Sequence, residues 1–286
     1  MALKIWLDGQ LVEKSDAKIG VYDHGLLYGD GVFEGIRVYS GRIFECKAHI
    51  DRLFNSALAV RLTIPYTASQ IQDAMYQTVN ASGLTDCYIR LVVTRGVGCL
   101  GLSPVKCVRA SVIIIADTIE LYPREMYEKG MAIITATVTR CPSNSIPARV
   151  KSLNYMNNIL AKIEAIDAGV PEALMLNQEG NVAECSGDNI FIVRGGQVQT
   201  PTTSDGILEG ITRGVILRLC GVLGIPCIEK TLQRYDVYTA QECFLTGTAA
   251  EVVPVTKIDG RVIGDGQVGA ISLKLHSAFH KLVREV

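Results

Sequence analysis

Although the chain carries nine cysteines it has no C-x-x-C pair, and it holds only four histidines. Metal sites need ligands at convergent spacing, so this pattern argues against a metal centre. Cys46, Cys87, Cys99, Cys107, Cys141, Cys185, Cys220, Cys227 and Cys243 are scattered through apolar contexts and read as reduced core thiols. His276 and His280 stand four apart on a helical pattern with no third ligand near them in sequence, which suits a satisfied or exposed pair. Charge of one sign is missing as well. With 28 basic and 29 acidic residues interspersed, the net charge is −1, leaving no broad basic surface for a phosphate backbone and no polybasic membrane patch. The most apolar short run, Val112 to Ala116, falls far below the ~20 residues a membrane helix needs. Met1 to Leu11 lacks a charged region followed by an apolar one, so no signal peptide is expected and a cytoplasmic protein is. No repeat at a fixed period and no low-complexity segment appears.

What is present is core. A hydrophobic share of 48 % over 286 residues suffices for one large or two medium domains. Lys4 to Val12 reads as a hairpin through Asp8-Gly9, and Gly31 to Tyr39 with Arg42 to Lys47 as another through Ser40-Gly41. Ile50, Leu53, Phe54, Ala57, Leu58 and Leu62 follow a helical period, as do Ile71, Ala74, Met75, Thr78 and Val79 before Gly83. Tyr88 to Thr94 and Arg109 to Ala116 return to strand character. The pattern is an antiparallel α+β unit over 1–118. An inter-domain connection is expected at 119–130, where Tyr-Pro and mixed charges interrupt apolar alternation, and a second domain at 131–286. That domain reads as a strand from Ala132 to Thr139, a helix after Lys151, short strands between Glu179-Gly180, Gly195-Gly196 and Asp259-Gly260, and helices from Ile211 to Gly221 and Gly269 to Val286.

Four features are candidates for chemistry. Lys151 precedes Leu153, Met156, Ile159, Leu160, Ile163 and Ile166, spaced as one apolar face of a helix that Gly169 ends, so it stands at a loop-to-helix junction. A lysine tucked inside there would have a lowered pKa and a nucleophilic amine; a solvated surface lysine is the other reading. Glu184 follows an apolar strand and precedes a Ser/Gly turn, as an exposed turn residue also could. Leu208-Glu209-Gly210-Ile211-Thr212-Arg213 is a glycine turn opening a helix, with free N–H groups ready for phosphate. Leu245 to Glu251 is a strand end of hydroxyls and small residues, where a ligand can approach the backbone. A reactive lysine, an acid, a phosphate-binding helix start and a hydroxyl-rich turn together are what pyridoxal phosphate requires.

The order and context of Tyr28 to Arg37, His49-Ile50-Asp51-Arg52-Leu53, Lys151-Ser152-Leu153-Asn154-Tyr155, Glu184, Gly210-Ile211-Thr212-Arg213 and Gly247-Thr248-Ala249-Ala250-Glu251 resemble the fold-type IV pyridoxal-phosphate enzymes, above all the branched-chain amino acid aminotransferases. The resemblance runs from about Ile5 to about Gly269. It implies a two-domain α+β fold like that of D-amino acid aminotransferase, with mixed sheets, barrel-like strands and helices packed outside. It implies that Lys151 forms the internal aldimine and moves a proton between Cα and C4′. In the same way it assigns Arg52 to the cofactor phosphate, Tyr155 to the ring oxygen, Glu184 to the pyridinium nitrogen, Leu208 to the ring face, Ile211, Thr212 and Thr248 to the phosphate, and Asn189 to a supporting part.

Substrate choice rests on the same resemblance. Tyr88-Ile89-Arg90 is similar to the carboxylate trap of the branched-chain enzymes, with backbone N–H groups near Thr248 and Ala249; Arg37 is a further carboxylate candidate. D-amino acid aminotransferases share His49 to Leu53, Ile64 to Thr67 and Val93 to Gly96, but they place an Arg-x-His where this chain has apolar Val97 to Leu102. Tyr28, Phe33, Leu100 and Tyr122 would suit an aliphatic side chain. The implied activity is transamination of leucine, isoleucine and valine with 2-oxoglutarate; a D-amino acid aminotransferase and an aminodeoxychorismate lyase are the alternatives. A homodimer or higher homo-oligomer is implied, with the loop near Leu100 entering the neighbouring subunit, and amino acids and 2-oxo acids are the expected partners rather than nucleic acid or membrane.

Overall fold

Asp8 and Gly9 take φ of 47° and 101°, and Ser40 and Gly41 take 49° and 80°. Two consecutive residues at positive φ match the twist of tight hairpins, and both dipeptides close one. The first joins β1 (Lys4–Leu7) to β2 (Gln10–Glu13). After a short helix, α1 (His24–Tyr28), the second joins β3 (Gly31–Tyr39) to β4 (Arg42–Ile43). The computed structural model describes residues 3–284 and divides the chain into two units: Met1–Ile119 with Val150–Asn154, and Glu120–Arg149 with Tyr155–Val286.

The first unit continues with α2 (Cys46–Ala59), α3 (Ala68–Ser82), β5 (Cys87–Thr94) and β6 (Ser111–Asp117). The six strands form one antiparallel sheet in the order β2-β1-β6-β5-β3-β4. Thr67 starts α3 with a reciprocal capping box to Gln70, and Gly83 ends it at φ 70°. Strand alternation splits the residues by face. Cys87, Ile89, Leu91 and Val93 join Val32, Ile36 and Val38 in a core with Leu53, Ile71 and Met75 of the helices, while Tyr88, Arg90 and Val92 point the other way.

The second unit contains α4 (Arg124–Lys129), β7 (Met131–Thr135), α5 (Met156–Asp167), β8 (Glu172–Leu176), β9 (Asn181–Cys185), β10 (Asn189–Arg194), β11 (Gln197–Thr200), α6 (Ile211–Val222), β12 (Cys227–Glu229), β13 (Leu232–Gln233), α7 (Arg234–Tyr238), β14 (Glu242–Gly247), β15 (Glu251–Ile258), β16 (Arg261–Val262) and α8 (Ala270–Arg284). Its ten-stranded sheet runs β12-β11-β10-β14-β15-β7-β8-β9-β13, with β16 on β15. The sheet is mixed: β7 is parallel to both β15 and β8. The run from β10 to β9 curls until these two strands meet at the turn 185–188, closed by the Cys185 N–H on the Asp188 carbonyl at 2.7 Å. Helices cover the strands, α4 and α8 on β15 and α5 on β8. The fold is thus α+β with barrel-like strands. Among the described residues, no helix is long and apolar enough to cross a membrane.

Within the expected inter-domain connection at 119–130, Glu120 onward groups with the second unit and Arg124–Lys129 forms α4. Two expectations are corrected. The strand expected to reach Thr139 stops at Thr135. The helix after Lys151 exists but turns its faces the other way. Ala161 and Ala165 are buried with Ala136, Ala173 and Met175, whereas Met156, Ile159, Leu160, Ile163 and Ile166 are exposed by 44 % to 65 %. Small side chains let α5 lie close on β8, and closeness rather than side-chain size decided which face went inward.

Candidate active site

Lys151 lies outside the helices and strands, in a short segment bridged to β3 just ahead of α5. The Phe33 N–H donates to the Lys151 carbonyl at 3.0 Å and the Leu153 N–H to the Gly31 carbonyl at 2.9 Å, with Ser152 bridged to Val32. Its own N–H donates to Ser56 Oγ of α2 at 3.2 Å. This short segment therefore lies along the edge of β3. Nζ stands 4.6 Å from the centre of the Phe33 ring, and the Arg90 guanidinium lies 4.7 Å from the same centre, distances at which a ring face attracts cations. Arg90 also lies 5.5 Å from the Tyr88 ring. The register pairs Gly35 with Arg90 and Arg37 with Tyr88, and the Tyr88 hydroxyl fills the place over Gly35: a Cβ there would come within 1.7 Å of it. Phe33, Tyr88, Arg90 and Lys151 thus share one face of the sheet.

On the opposite face, Glu34 is fully buried and ties two α2 residues together. Arg52 donates to it through Nε at 2.7 Å and Nη2 at 2.8 Å, and His49 Nδ1 lies 2.8 Å away. Burial alone would raise the Glu34 carboxyl, but the bidentate guanidinium and the imidazole pull it down to about 2. Burial lowers His49 despite Glu34. Arg52 is accordingly oriented by Glu34.

Tyr28 and His24 hold the loop on either side of Leu100. The Gly101 N–H donates to the Tyr28 hydroxyl at 2.8 Å, and His24 Nε2, stacked edge-on against Tyr28, lies 2.9 Å from the Cys99 carbonyl. The loop is anchored at its root while Leu100 itself is 70 % exposed.

In the second unit Glu184, near the end of β9, is a buried and fully engaged carboxylate. Arg140 reaches it at 2.8 Å, the Asn189 amide donates at 2.9 Å and the Leu208 N–H at 3.0 Å. Asn189 also donates to the Leu208 carbonyl at 3.0 Å, and its Oδ1 lies against Gly210, where a Cβ would come within 2.0 Å. Gly210 opens α6 without a side-chain cap, so the N–H groups of Ile211 and Thr212 face outward from a helix start that attracts anions. Between β14 and β15, Thr248 and Ala249 form a half-buried turn after Thr246, whose buried Oγ1 has no hydrogen-bond partner among the described residues. Tyr155 is the residue before α5.

Tyr122, expected to suit an aliphatic side chain, has polar partners for its hydroxyl. It is 4 % exposed within the core of this unit, and its hydroxyl lies 3.0 Å from Asp188 and 3.4 Å from Glu172. Burial and the two carboxylates hold its phenol well above the usual range, so the hydroxyl is committed inside the protein.

Residues 31–258 match the family model for class IV amino-transferases. The chain belongs to the class IV aminotransferases. A putative branched-chain-amino-acid aminotransferase of Methanocaldococcus jannaschii is 50 % identical over 97 % of this chain and 95 % of its own length. The crystal structure of the Escherichia coli branched-chain amino acid aminotransferase superposes with a TM-score of 0.97 at 34 % identity, covering 100 % of this chain and 96 % of that one. The branched-chain enzyme of Thermobaculum terrenum, solved in its PLP form, gives 0.89 at 30 % identity, covering 99 % and 94 %. In this class IV aminotransferase, sequence reasoning missed Arg140, the cation beside Glu184, because nothing near Thr139-Arg140-Cys141-Pro142 marks it. It also missed Glu34 and His49 as partners of Arg52, although an acid in the middle of an apolar strand was a usable signal.

Proposed function

We propose that this protein transfers amino groups between L-leucine, L-isoleucine or L-valine and 2-oxoglutarate, using pyridoxal phosphate. The observation that carries the reading is the face shared by Lys151, Phe33, Tyr88 and Arg90: an amine, a cation and a hydroxyl around an aromatic ring. The relatives named for branched-chain amino acids support the substrate class, and the relative solved in its PLP form supports the cofactor. The residues present suit that group. A helix start without a side-chain cap matches a phosphate, and a carboxylate held by Arg140 and two N–H donors matches a protonated ring nitrogen.

When bound, the cofactor supplies an electron sink for the pair left at Cα once its proton departs. Lys151 is the residue that binds it covalently and carries that proton as general base. Glu184 holds the ring-nitrogen end, with Arg140 paired to one carboxylate oxygen and Asn189 bonded to the other. The N–H groups of Ile211 and Thr212, the hydroxyls of Thr212 and Thr248, and Arg52 hold the phosphate. Tyr155 bonds the ring oxygen and Leu208 packs on the ring face. Tyr88, Arg90 and the Ala249 N–H take the substrate carboxylate, while Phe33, Tyr28 and Leu100 offer the side chain an apolar surface. Such a surface separates valine from leucine only modestly, since a methylene is worth ~1–3 kcal/mol.

The working unit in this reading is a homodimer. Val21, Tyr22 and Leu26 beside α1 and Val97, Leu100, Leu102, Val105 and Val108 of the neighbouring loop are all exposed apolar side chains, a clustering that monomers avoid.

Half-reactions with a panel of L- and D-amino acids test the proposal. L-leucine, L-isoleucine and L-valine should each bleach the visible band of the lysine-bound cofactor, and Lys151→Ala should lack the band and lose at least about a hundredfold in rate. Turnover of D-alanine without L-leucine would assign a D-specific enzyme instead, and keto acid release without an amino acceptor would assign a lyase.

A further inference from the structure

The turn 185–188 lies between Glu184 and Asn189, and its last residue is a buried acid with too few donors. Asp188 is 5 % exposed and, among the described residues, accepts one side-chain hydrogen bond, from Tyr122 at 3.0 Å. Its neighbour Glu172 is equally buried but well supplied: the Ala173 N–H at 2.7 Å, the Ser186 N–H at 3.1 Å, the Ser186 hydroxyl, and Lys162 Nζ at 3.8 Å. Tyr122 stands near both carboxyls, yet its single hydroxyl hydrogen serves one at a time. Asp188 is therefore the member of the pair that a proton would satisfy. Its Oδ1 is also wedged against Gly247, where a Cβ would come within 2.0 Å. One carboxyl thus touches the turn leading to Thr248 and Ala249 while its backbone belongs to the turn carrying Glu184 and Asn189.

We propose that Asp188 is a positioning residue of the active site, holding an exchangeable proton inside the Tyr122–Glu172 cluster and setting both the charge near Glu184 and the seating of the Gly247–Ala250 turn. This rests on the reading of Glu184 and that turn as cofactor and substrate contacts. The groups facing Asp188 are Tyr122, Glu172 of β8, Lys162 of α5, and Glu184 and Cys185 of β9, with Glu184 itself paired to Arg140. Burial first, and then the Glu172 charge, push the Asp188 carboxyl up to about 7, against the hydrogen bond from Tyr122 and the charge of Lys162. Above neutrality an added negative charge near Glu184 strengthens its hold on a protonated ring nitrogen. Below neutrality Asp188 is neutral and that support is absent.

The test compares the wild-type holoenzyme with Asp188→Asn and Tyr122→Phe, using L-leucine across pH 5.5–9. Wild-type kcat/KM should rise through an inflection near 7 in the free enzyme. Asn imitates the protonated acid, so Asp188→Asn should lose that inflection, falling severalfold at pH 8.5 and staying within about twofold at pH 6. In Tyr122→Phe the inflection should move about 0.5–1 unit more alkaline, because a donor to the charged form is gone. A loss equal at every pH, or an inflection unmoved in both variants, overturns the positioning role. Melting gives an independent reading of the proton: relative to wild type, Asp188→Asn should gain a few degrees more at pH 8 than at pH 5, and an equal difference at both overturns the proton. A wild type inactive towards every amino donor overturns the functional reading and, with it, the positioning role, while the melting comparison still decides the proton.

Discussion

Gly35 has no side chain, and the Tyr88 hydroxyl occupies the place one would take. Gly35→Ala should displace Tyr88 while leaving the β3–β5 pairing intact, raising KM for L-leucine about tenfold or more with a smaller change in kcat; steady-state kinetics with a melting control would show it. A second prediction concerns Glu34. Its folded-state value, about 2 against 4.5 unfolded, means that its contribution is fully present above pH 4.5 and is lost as pH falls towards 2. That contribution is about 3 kcal/mol. Acid unfolding of Glu34→Gln should lack this pH-dependent part between pH 5 and 2, and the variant should be less stable at pH 7, where Arg52 is left without its carboxylate. Such residues differ in how far sequence exposes them. Lys151 and Glu184 stood out as candidates only as a set and through the family resemblance, since each alone also reads as an ordinary surface or turn residue. Arg140 did not, because an arginine in a loop looks the same whether it faces water or a buried acid. The surroundings of Tyr122 were hidden in the same way: its two carboxyl partners lie 50 and 66 residues further on.

Periodicity placed α2, α3 and α6 within a few residues of their observed ends, and the Asp8-Gly9 and Ser40-Gly41 turns were legible as hairpins because positive φ demands those residue types. The same rule found α5 and misassigned its faces, since a period reports that two faces differ but not which of them meets a sheet. The two faces should respond oppositely. Ala161→Leu overfills the contact with β8 and should cost about 1–3 kcal/mol, whereas Ile163→Ser on the exposed stripe should change stability by less than about 0.5 kcal/mol; denaturant midpoints would separate them. At the start of α6, Gly210→Ala should push Asn189 away from Glu184 and Leu208. Weaker retention of the cofactor on dialysis, by about tenfold, is the expected outcome, with helix content unchanged by circular dichroism.

For the molecule as a whole, the exposed apolar side chains beside α1 and in the loop from Val97 to Val108 form one apolar surface, distinct from the stripe on α5. Leu100→Ser with Leu102→Ser should shift sedimentation towards the monomer while leaving the melting temperature of the monomer nearly unchanged. Another consequence concerns the order in which the protein assembles. Lys151 is aligned by Phe33 and Gly31 of β3 and by Ser56, itself 95 residues away in sequence, and Asn154 bonds the Gly29 carbonyl across 125 residues. Contacts of such long sequence separation form late, because the intervening chain must first be closed into a loop. Lys151 is therefore a latecomer to its place beside β3: helices and hairpins can be complete in a refolding chain in which this segment has not yet docked. If Lys151 is the proposed attachment point, recovery of the cofactor's visible band should lag behind recovery of secondary structure.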